Sequence, residues 1–192
     1  MEQLSMFEAN HNMEEFFNII HKCKRSTIQN VTDYLLSQTD FFSAPASTRF
    51  HGAEPGGLLT HSLAVYYRLC DLAPLSVPHD SIIITALFHD ICKANFYTES
   101  TRNVKDDSGK WRQVPYYKVE EQFPYGSHGG KSVYLLMKCG LELTDEEAIA
   151  INNHMGGWDV TSYHNPTQAF SEYPLALFLH IADMIATNYD HK

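Results

Sequence analysis

The chain has 192 residues, a hydrophobic fraction of 44% and a formal net charge of −9 with histidine counted as neutral. Its length and hydrophobicity are enough for one domain with a substantial core, so folding does not require disulfide bonds. The excess of acidic residues argues against a general electrostatic grip on nucleic-acid backbones or anionic membranes, although it leaves room for a local basic pocket.

The sequence shows no secretion signal, no apolar run near the roughly 20 residues that span a bilayer, and no Cys-x-x-Cys pair among its four cysteines. We therefore expect a cytoplasmic protein with reduced cysteines. We also expect no extended nucleic-acid surface and no membrane partner.

Apolar residues recur at helical spacing in four segments of the first half of the chain. These predicted helices run over residues 13–24, 27–37, 58–73 and 81–94. A loop rich in glycine and proline, 41–57, separates the second helix from the third. Pro74 ends the third helix, and Asp80 is the expected N-cap of the fourth. Because the fourth helix is apolar on nearly every side, we expect it to be central.

The second half of the chain interrupts this helical pattern. A turn signal at 106–110, with β-forming residues around it, predicts a short β-hairpin insertion over 97–124. Helices are then predicted over 127–139 and from a capping box at Thr144 to about residue 154. A loop over 156–173 leads to a last helix that begins at Pro174. These elements predict an all-α helical bundle with a small inserted hairpin.

The chain contains eleven histidines, and one of them, His89, stands next to Asp90 in an apolar segment. Burying an imidazole beside a carboxylate is unfavourable unless another group compensates the charge. A divalent metal ion does so, because both side chains are good ligands and a carboxylate can bridge two ions. Four further candidate ligands recur at wide spacing, namely His61, His128, His154 and Asp183.

Each of these four has an ordinary explanation when it is taken alone. His61 is also typical of a hydrogen-bonded core histidine, His128 of an exposed first helical turn, and His154 of a helix C-terminus with its favourable dipole. Asp183 lies on a mostly apolar helix and needs a partner if buried, which a lysine or arginine would also supply. The metal-site hypothesis therefore requires that the six residues converge.

In this order, the residues resemble the HD superfamily of metal-dependent phosphohydrolases. Its pattern is an isolated histidine, an adjacent His-Asp pair and a later aspartate on a final helix, with two more histidines in members that hold two metals. The matching residues are, in order, His61, His89, Asp90, His128, His154 and Asp183. The segment 87–93 also looks like the family's His-Asp-Ile-Gly-Lys element, with Cys92 in place of glycine. The resemblance covers about residues 50 to 190.

The resemblance implies an HD-domain helical bundle over residues 1–192, with an N-terminal helical extension at 1–50 and the hairpin insertion at 97–124. It implies one or two divalent ions, for which manganese, iron, cobalt, nickel, zinc and magnesium are all compatible. The first ion would be held by His61, His89, Asp90 and Asp183, and the second by Asp90, His128 and His154. Several two-metal relatives have two tandem histidines where this chain has Asn153 and His154, so the second ion would have fewer protein ligands.

The implied activity is hydrolysis of a phosphate ester of a nucleotide or a related small phosphorylated metabolite by a metal-activated hydroxide. Asp90 and Lys93 would be the catalytic residues, since Asp90 bridges the ions and Lys93 is placed to bind phosphate or stabilise the leaving group. A di-iron oxygenase and a non-catalytic nucleotide-binding or metal-binding module are the alternatives. For His180, a hydrogen bond that orients a metal ligand and a packing role are both open.

Several other side chains are candidates for substrate contacts, with an ordinary solvated or packing role as the alternative. The candidate phosphate contacts are Arg49, Arg102, Lys105, Arg112 and Lys131, and the candidate base-stacking aromatics are Trp111, Tyr116, Tyr117 and Trp158.

Overall fold

The computed structural model describes residues 2–49, 51–120, 125–158 and 166–190, with side chains described from residue 10 onward. Within these ranges, eight α-helices and one two-stranded antiparallel sheet form the regular structure. The helices are α1 (Glu2–Ile20), α2 (Ile28–Gln38), α3 (Gly57–Leu72), α4 (His79–Phe88), α5 (His128–Lys138), α6 (Asp145–Asn153), α7 (Thr167–Glu172) and α8 (Pro174–Ile185), and the strands are β1 (Tyr97–Lys105) and β2 (Trp111–Val119). The predicted all-α class with a small hairpin is confirmed.

Helix α4 forms the centre of the bundle. Every residue from Ser81 to Phe88 is buried, as its apolar sequence predicts. Helix α3 packs against α4 and α8, while α6 packs against α4, α5 and α8. Among the described residues, no helix combines the length and apolar character that crossing a membrane requires.

The end of α4 differs from the prediction in a way that matters for the site. The predicted helix ran to residue 94, but α4 ends at Phe88 and His89 is its C-cap. Asp90 leaves the helical conformation, with φ −105° and ψ 16°, and a single 3₁₀ turn follows over Ile91–Lys93. The His-Asp pair therefore lies at the buried end of a helix and not inside it.

Other predicted helix boundaries are also wrong. Helix α1 spans Glu2–Ile20 and not residues 13–24. The N-cap of α4 is Pro78, and Asp80 instead lies in the first turn, where its carboxylate accepts a hydrogen bond from the backbone N–H of Lys24 at 3.2 Å. This interaction links the loop after α1 to the start of α4.

The hairpin has nine residues in each strand, with Tyr97 paired to Val119 and Lys105 paired to Trp111. Its turn is stabilised by Asp106, whose carboxylate accepts hydrogen bonds from the backbone N–H groups of Ser108 and Lys110. The predicted segment extended to residue 124, and its last part, 121–124, lies outside the described residues.

The last third of the chain begins with the predicted capping box. The Thr144 side chain accepts a hydrogen bond from the Glu147 backbone, and the Glu147 side chain accepts one from the Thr144 backbone. The segment predicted as a loop over 156–173 contains a 3₁₀ turn at Gly156–Trp158 and the short helix α7, while residues 159–165 lie outside the described ranges. Pro174 begins α8, as predicted.

A close approach between α5 and α6 gives a testable constraint. A Cβ atom on Gly129 would lie 2.2 Å from the Ile151 carbonyl oxygen and 2.6 Å from the Asn152 Cα. We expect Gly129→Ala to lower the free energy of unfolding by about 1–3 kcal/mol, because the two backbones must separate. Urea denaturation measures this change.

Gly157→Ala is the matched control for this substitution, since a Cβ at Gly157 meets no heavy atom of the described residues within 4 Å. Equal unfolding midpoints for the two variants would contradict the expected clash at Gly129.

Candidate metal centre

The structure brings all six predicted ligands together from five helices. His61 lies on α3, His89 and Asp90 at the end of α4, His128 at the start of α5, His154 at the end of α6, and Asp183 on α8. The side chains of His61, His89, Asp90 and His154 are almost completely buried, whereas 27% of His128 and 15% of Asp183 is exposed. Three overlapping groups of these residues place one potential ligand atom each within 4.8 Å of the others.

The carboxylate of Asp90 is the centre of the cluster. Its Oδ2 lies 3.6 Å from Nε2 of His61 and 3.4 Å from Nε2 of His89. Its Oδ1 lies 3.1 Å from Nε2 of His128 and 3.5 Å from Nε2 of His154. Each carboxylate oxygen therefore faces a different pair of imidazoles.

Asp183 extends the half of the cluster that contains His61 and His89. Its Oδ1 lies 3.1 Å from Nε2 of His61 and 4.0 Å from Nε2 of His89. The hydroxyl of Thr187, one helical turn later, donates a hydrogen bond of 3.3 Å to the same oxygen. This contact helps to fix the direction of the carboxylate.

Two of the imidazoles are held by backbone carbonyls. Nδ1 of His89 lies 2.8 Å from the Ala86 carbonyl oxygen, and Nδ1 of His154 lies 2.6 Å from the Ile151 carbonyl oxygen. Because a carbonyl oxygen only accepts, the proton of each ring is on Nδ1, and a neutral ring then directs a lone pair from Nε2 into the cluster.

This donor set fits a divalent cation. Nε2 of His89 and Nε2 of His154 direct lone pairs towards the carboxylate oxygens of Asp90, at 3.4 Å and 3.5 Å, and these atoms repel one another unless a positive charge lies between them. Ligands at about 2.0–2.2 Å from a metal are themselves separated by about 3.0–3.5 Å, and Nε2 of His61 lies 3.3 Å from Nε2 of His89. Nε2 of His154 is buried and makes no hydrogen bond to the described residues.

Charge partners keep the central carboxylate ionised. Burial opposes ionisation of Asp90, but Lys93, His89 and His128 hold the pKa of its carboxyl well below the usual range. Nζ of Lys93 lies 2.6 Å from Asp90 Oδ2, and this contact keeps the pKa of Lys93 above its ordinary value despite burial. Burial would likewise lower the pKa of His128, but Cys92 and Asp90 raise it to about 10. The cluster therefore attracts positive charge.

A cavity of about 1000 Å³ opens onto the cluster. Asp90, Lys93, His154 and Asp183 line its inner part. Its remaining lining comes from the loop before α3, the turn after α6, helix α8 and the π-helical turn Ala186–Asp190 that follows α8, namely His51, Gly52, Ala53, Glu54, Met155, Trp158, His180, Met184, Thr187 and Asn188. The cluster is thus accessible to a small molecule.

His51 lies beside the cluster, although the sequence pattern did not indicate it. Its ring centroid lies 5.2 Å from that of His61, and the side chain lines the cavity. Burial, together with the neighbouring His61 and Lys93, lowers the pKa of His51 to about 4. The only signal was a histidine in the glycine-rich loop before His61, because the contact is made by the tertiary fold.

His180 makes both a hydrogen bond and a packing contact. Nδ1 of His180 donates a hydrogen bond of 2.6 Å to the His154 carbonyl oxygen, and its ring stacks on Phe170 at 5.1 Å. A Cβ on Gly156 would lie 2.7 Å from the same ring. His180 therefore positions the backbone that carries His154.

Only one of the other candidates for substrate contacts is among the described residues that line the cavity. Of the four aromatic residues, Trp158 lines the cavity and the three hairpin residues do not. None of the five lysine and arginine candidates lines it either. Arg112 instead pairs with Asp106 at 2.6 Å, and Lys105 lies over the ring of Trp111 at 5.2 Å.

Comparison with known proteins gives one match. The family model of the HD domain matches residues 58–188, a range that contains all six residues of the cluster. No curated protein and no solved structure matches the chain. Because the matched range covers more than half of the sequence, the chain belongs to the HD domain family, whose members are mostly metal-dependent hydrolases.

Proposed function

We propose that this protein is a metal-dependent phosphohydrolase that cleaves a phosphate ester of a nucleotide or a related small phosphorylated metabolite. The observation that carries the proposal is the position of Asp90, whose two oxygens each face a separate pair of imidazoles. This arrangement suits two cations that share one carboxylate. The adjoining cavity has the size of a small-molecule site.

The ligands divide between two ions according to these contacts. His61, His89, Asp90 and Asp183 would hold the first ion, and Asp90, His128 and His154 the second. When bound, such ions polarise phosphoryl oxygens and lower the pKa of a coordinated water towards neutrality. The mixed nitrogen and oxygen donors suit manganese, iron, cobalt, nickel, zinc or magnesium.

The protein contributes orientation and one positive charge. Hydrogen bonds to backbone carbonyl oxygens fix the rings of His89 and His154 before any ion or substrate binds. Neither side chain therefore has to change rotamer when an ion binds. Lys93 lines the cavity beside Asp90, with 12% of its side chain exposed. We assign Lys93 to binding a phosphoryl oxygen of the substrate. The attraction between its ammonium group and this oxygen is stronger in a site with little water.

A metal-reconstitution screen tests this function. The metal-free protein is loaded with each of the six metals in turn and assayed with nucleoside phosphates, cyclic nucleotides and model phosphodiesters. We expect phosphate-ester cleavage that requires an added ion and is lost in His89→Ala.

Two outcomes of the screen would contradict the proposal. An iron-loaded protein that consumes oxygen with an organic substrate and leaves phosphate esters intact would be an oxygenase. Stoichiometric nucleotide binding without turnover under any condition would indicate a binding module.

The proposed role of Lys93 predicts a separation of activity from metal binding. Lys93→Met keeps the length of the side chain but removes the charge, so we expect kcat/KM to fall by about 100-fold while the metal content is retained. Steady-state kinetics and elemental analysis measure the two quantities.

Lys138→Ala, an exposed position at the end of α5 outside this cavity, is the control and should leave both quantities unchanged. Normal kinetics in Lys93→Met would remove Lys93 from the site.

A further inference from the structure

The outer part of the cavity is apolar on one side. Met155 and Trp158 come from the turn that follows His154, and Met184 follows Asp183 on α8. Although they line a cavity, 72% of Trp158 and 40% of Met184 is exposed. Large apolar side chains exposed at the mouth of a polar site are typical of ligand contacts. An indole ring beside two methionines suits a flat, uncharged ring system.

Apart from the proposed metal ions, the described lining of the cavity carries little positive charge. Lys93 is the only lysine or arginine among the described residues that line it, whereas Asp90, Asp183 and Glu54 contribute carboxylates. Among the lining residues that the structure describes, only Lys93 therefore offers a positive charge to a phosphate group.

Glu54 is the one lining carboxylate, among the described residues, that is not in the proposed ligand set. It lies on the loop before α3 and is exposed to the cavity, unlike Asp90, which is paired with Lys93. Like charges in a cleft repel more strongly than in bulk water, because the protein walls lower the local dielectric constant. Glu54 thus disfavours polyphosphates.

We propose that the substrate is a single-phosphate ester of a planar, uncharged ring system, of the nucleoside monophosphate class, with its ring stacked on Trp158 and with polyphosphates disfavoured by Glu54. This inference rests on the proposed phosphohydrolase function, which supplies the orientation: phosphate at the metal cluster, ring at the mouth. It makes Trp158 and Glu54 specificity-determining residues and not catalytic ones.

Tryptophan fluorescence tests the stacking without relying on turnover. The chain has two tryptophans, so Trp111→Phe leaves Trp158 as the only one. The metal-loaded variant is titrated with the phosphonate analogue of a nucleoside monophosphate, which resists hydrolysis. We expect saturable quenching, whereas the matched Trp158→Phe variant, which keeps Trp111 on the hairpin, should show none.

Calorimetry on the metal-loaded wild-type protein and its Trp158→Ala variant measures how much the contact between Trp158 and the ligand ring contributes to affinity. Trp158→Ala should raise the Kd of the phosphonate analogue roughly tenfold, as expected for loss of one aromatic stacking partner. The Kd of ribose 5-phosphate, which lacks the planar ring, should stay unchanged. Binding of the analogue that neither quenches Trp158 nor weakens in Trp158→Ala would overturn the assignment.

A charge reversal tests the preference for one phosphate. At matched free metal concentration, the wild-type protein should bind non-hydrolysable nucleoside triphosphate analogues at least about tenfold more weakly than the monophosphate analogue. Glu54→Lys should reduce this ratio about tenfold, and Glu142→Lys, at an exposed position outside the cavity, should not change it. Equal affinity of the wild type for both analogues would overturn the inference.

These binding results are independent of the activity screen. Quenching and charge discrimination without cleavage of any ester would contradict the phosphohydrolase function but not the ring and charge preference of the cavity. Cleavage of a phosphate ester without quenching of Trp158 would support the phosphohydrolase function but contradict the proposed stacking of the substrate ring.

Discussion

Asp90→Asn is expected to remove the metal ions and to lower phosphate-ester hydrolysis roughly 1000-fold or more. Both oxygens of Asp90 are committed, each to a different pair of imidazoles. An amide keeps the shape of the carboxylate but loses its negative charge and one acceptor atom. The ions would therefore lose the one ligand that they are proposed to share. Metal content per chain and kcat/KM measure the two effects.

Asp33→Asn is the matched control for this experiment. Asp33 is an exposed carboxylate on α2 that accepts a hydrogen bond from Gln29, and its replacement should change neither quantity. A folded Asp90→Asn protein with full metal content and normal turnover would refute the assignment of the cluster.

Metal removal is expected to lower the unfolding temperature by about 5–10 °C. Without an ion, the lone pairs of His89 and His154 face the carboxylate oxygens of Asp90 at 3.4 Å and 3.5 Å in a largely buried cluster. An ion at 100 times its Kd that binds only the folded state adds about 2.7 kcal/mol. For a chain of this size, each kcal/mol of stability changes the unfolding temperature by roughly 2–4 °C, which gives the expected shift of about 5–10 °C.

Thermal denaturation before chelation, after chelation and after metal is added back measures this shift. The Asp90→Asn variant should show no response to added metal, which separates the effect of the site from general salt effects. An unchanged unfolding temperature in protein shown to gain and lose its ions would argue that they bind elsewhere.

Three residues of the cluster could be singled out from the sequence alone, because charged and polar residues are conspicuous in apolar segments. His89 and Asp90 stand out in an apolar segment, and Asp183 stands out on an apolar helix. Their convergence with three more histidines is a property of the fold, and the resemblance to a family supplied that expectation. The helices themselves followed from the spacing of apolar residues.

The end of α4, the short helix α7 and the contacts of single side chains could not be predicted from the sequence. The break at Asp90 was missed, because the apolar pattern continues through Ile91 and Cys92 even though the helix has ended. The roles of His51 and His180 depend on contacts with His61 and with the backbone of His154, which no sequence period reveals. Helix α7 was missed since its six residues are too few for a periodic signal.

Helix α8 serves both halves of the cluster at once. Asp183 faces the half with His61, while His180, one turn earlier on the same helix, holds the carbonyl of His154 in the other half. Packed helices move as rigid bodies and do not deform residue by residue. A displacement of α8 would therefore disturb both halves together, so that the centre forms or is lost as one cooperative unit.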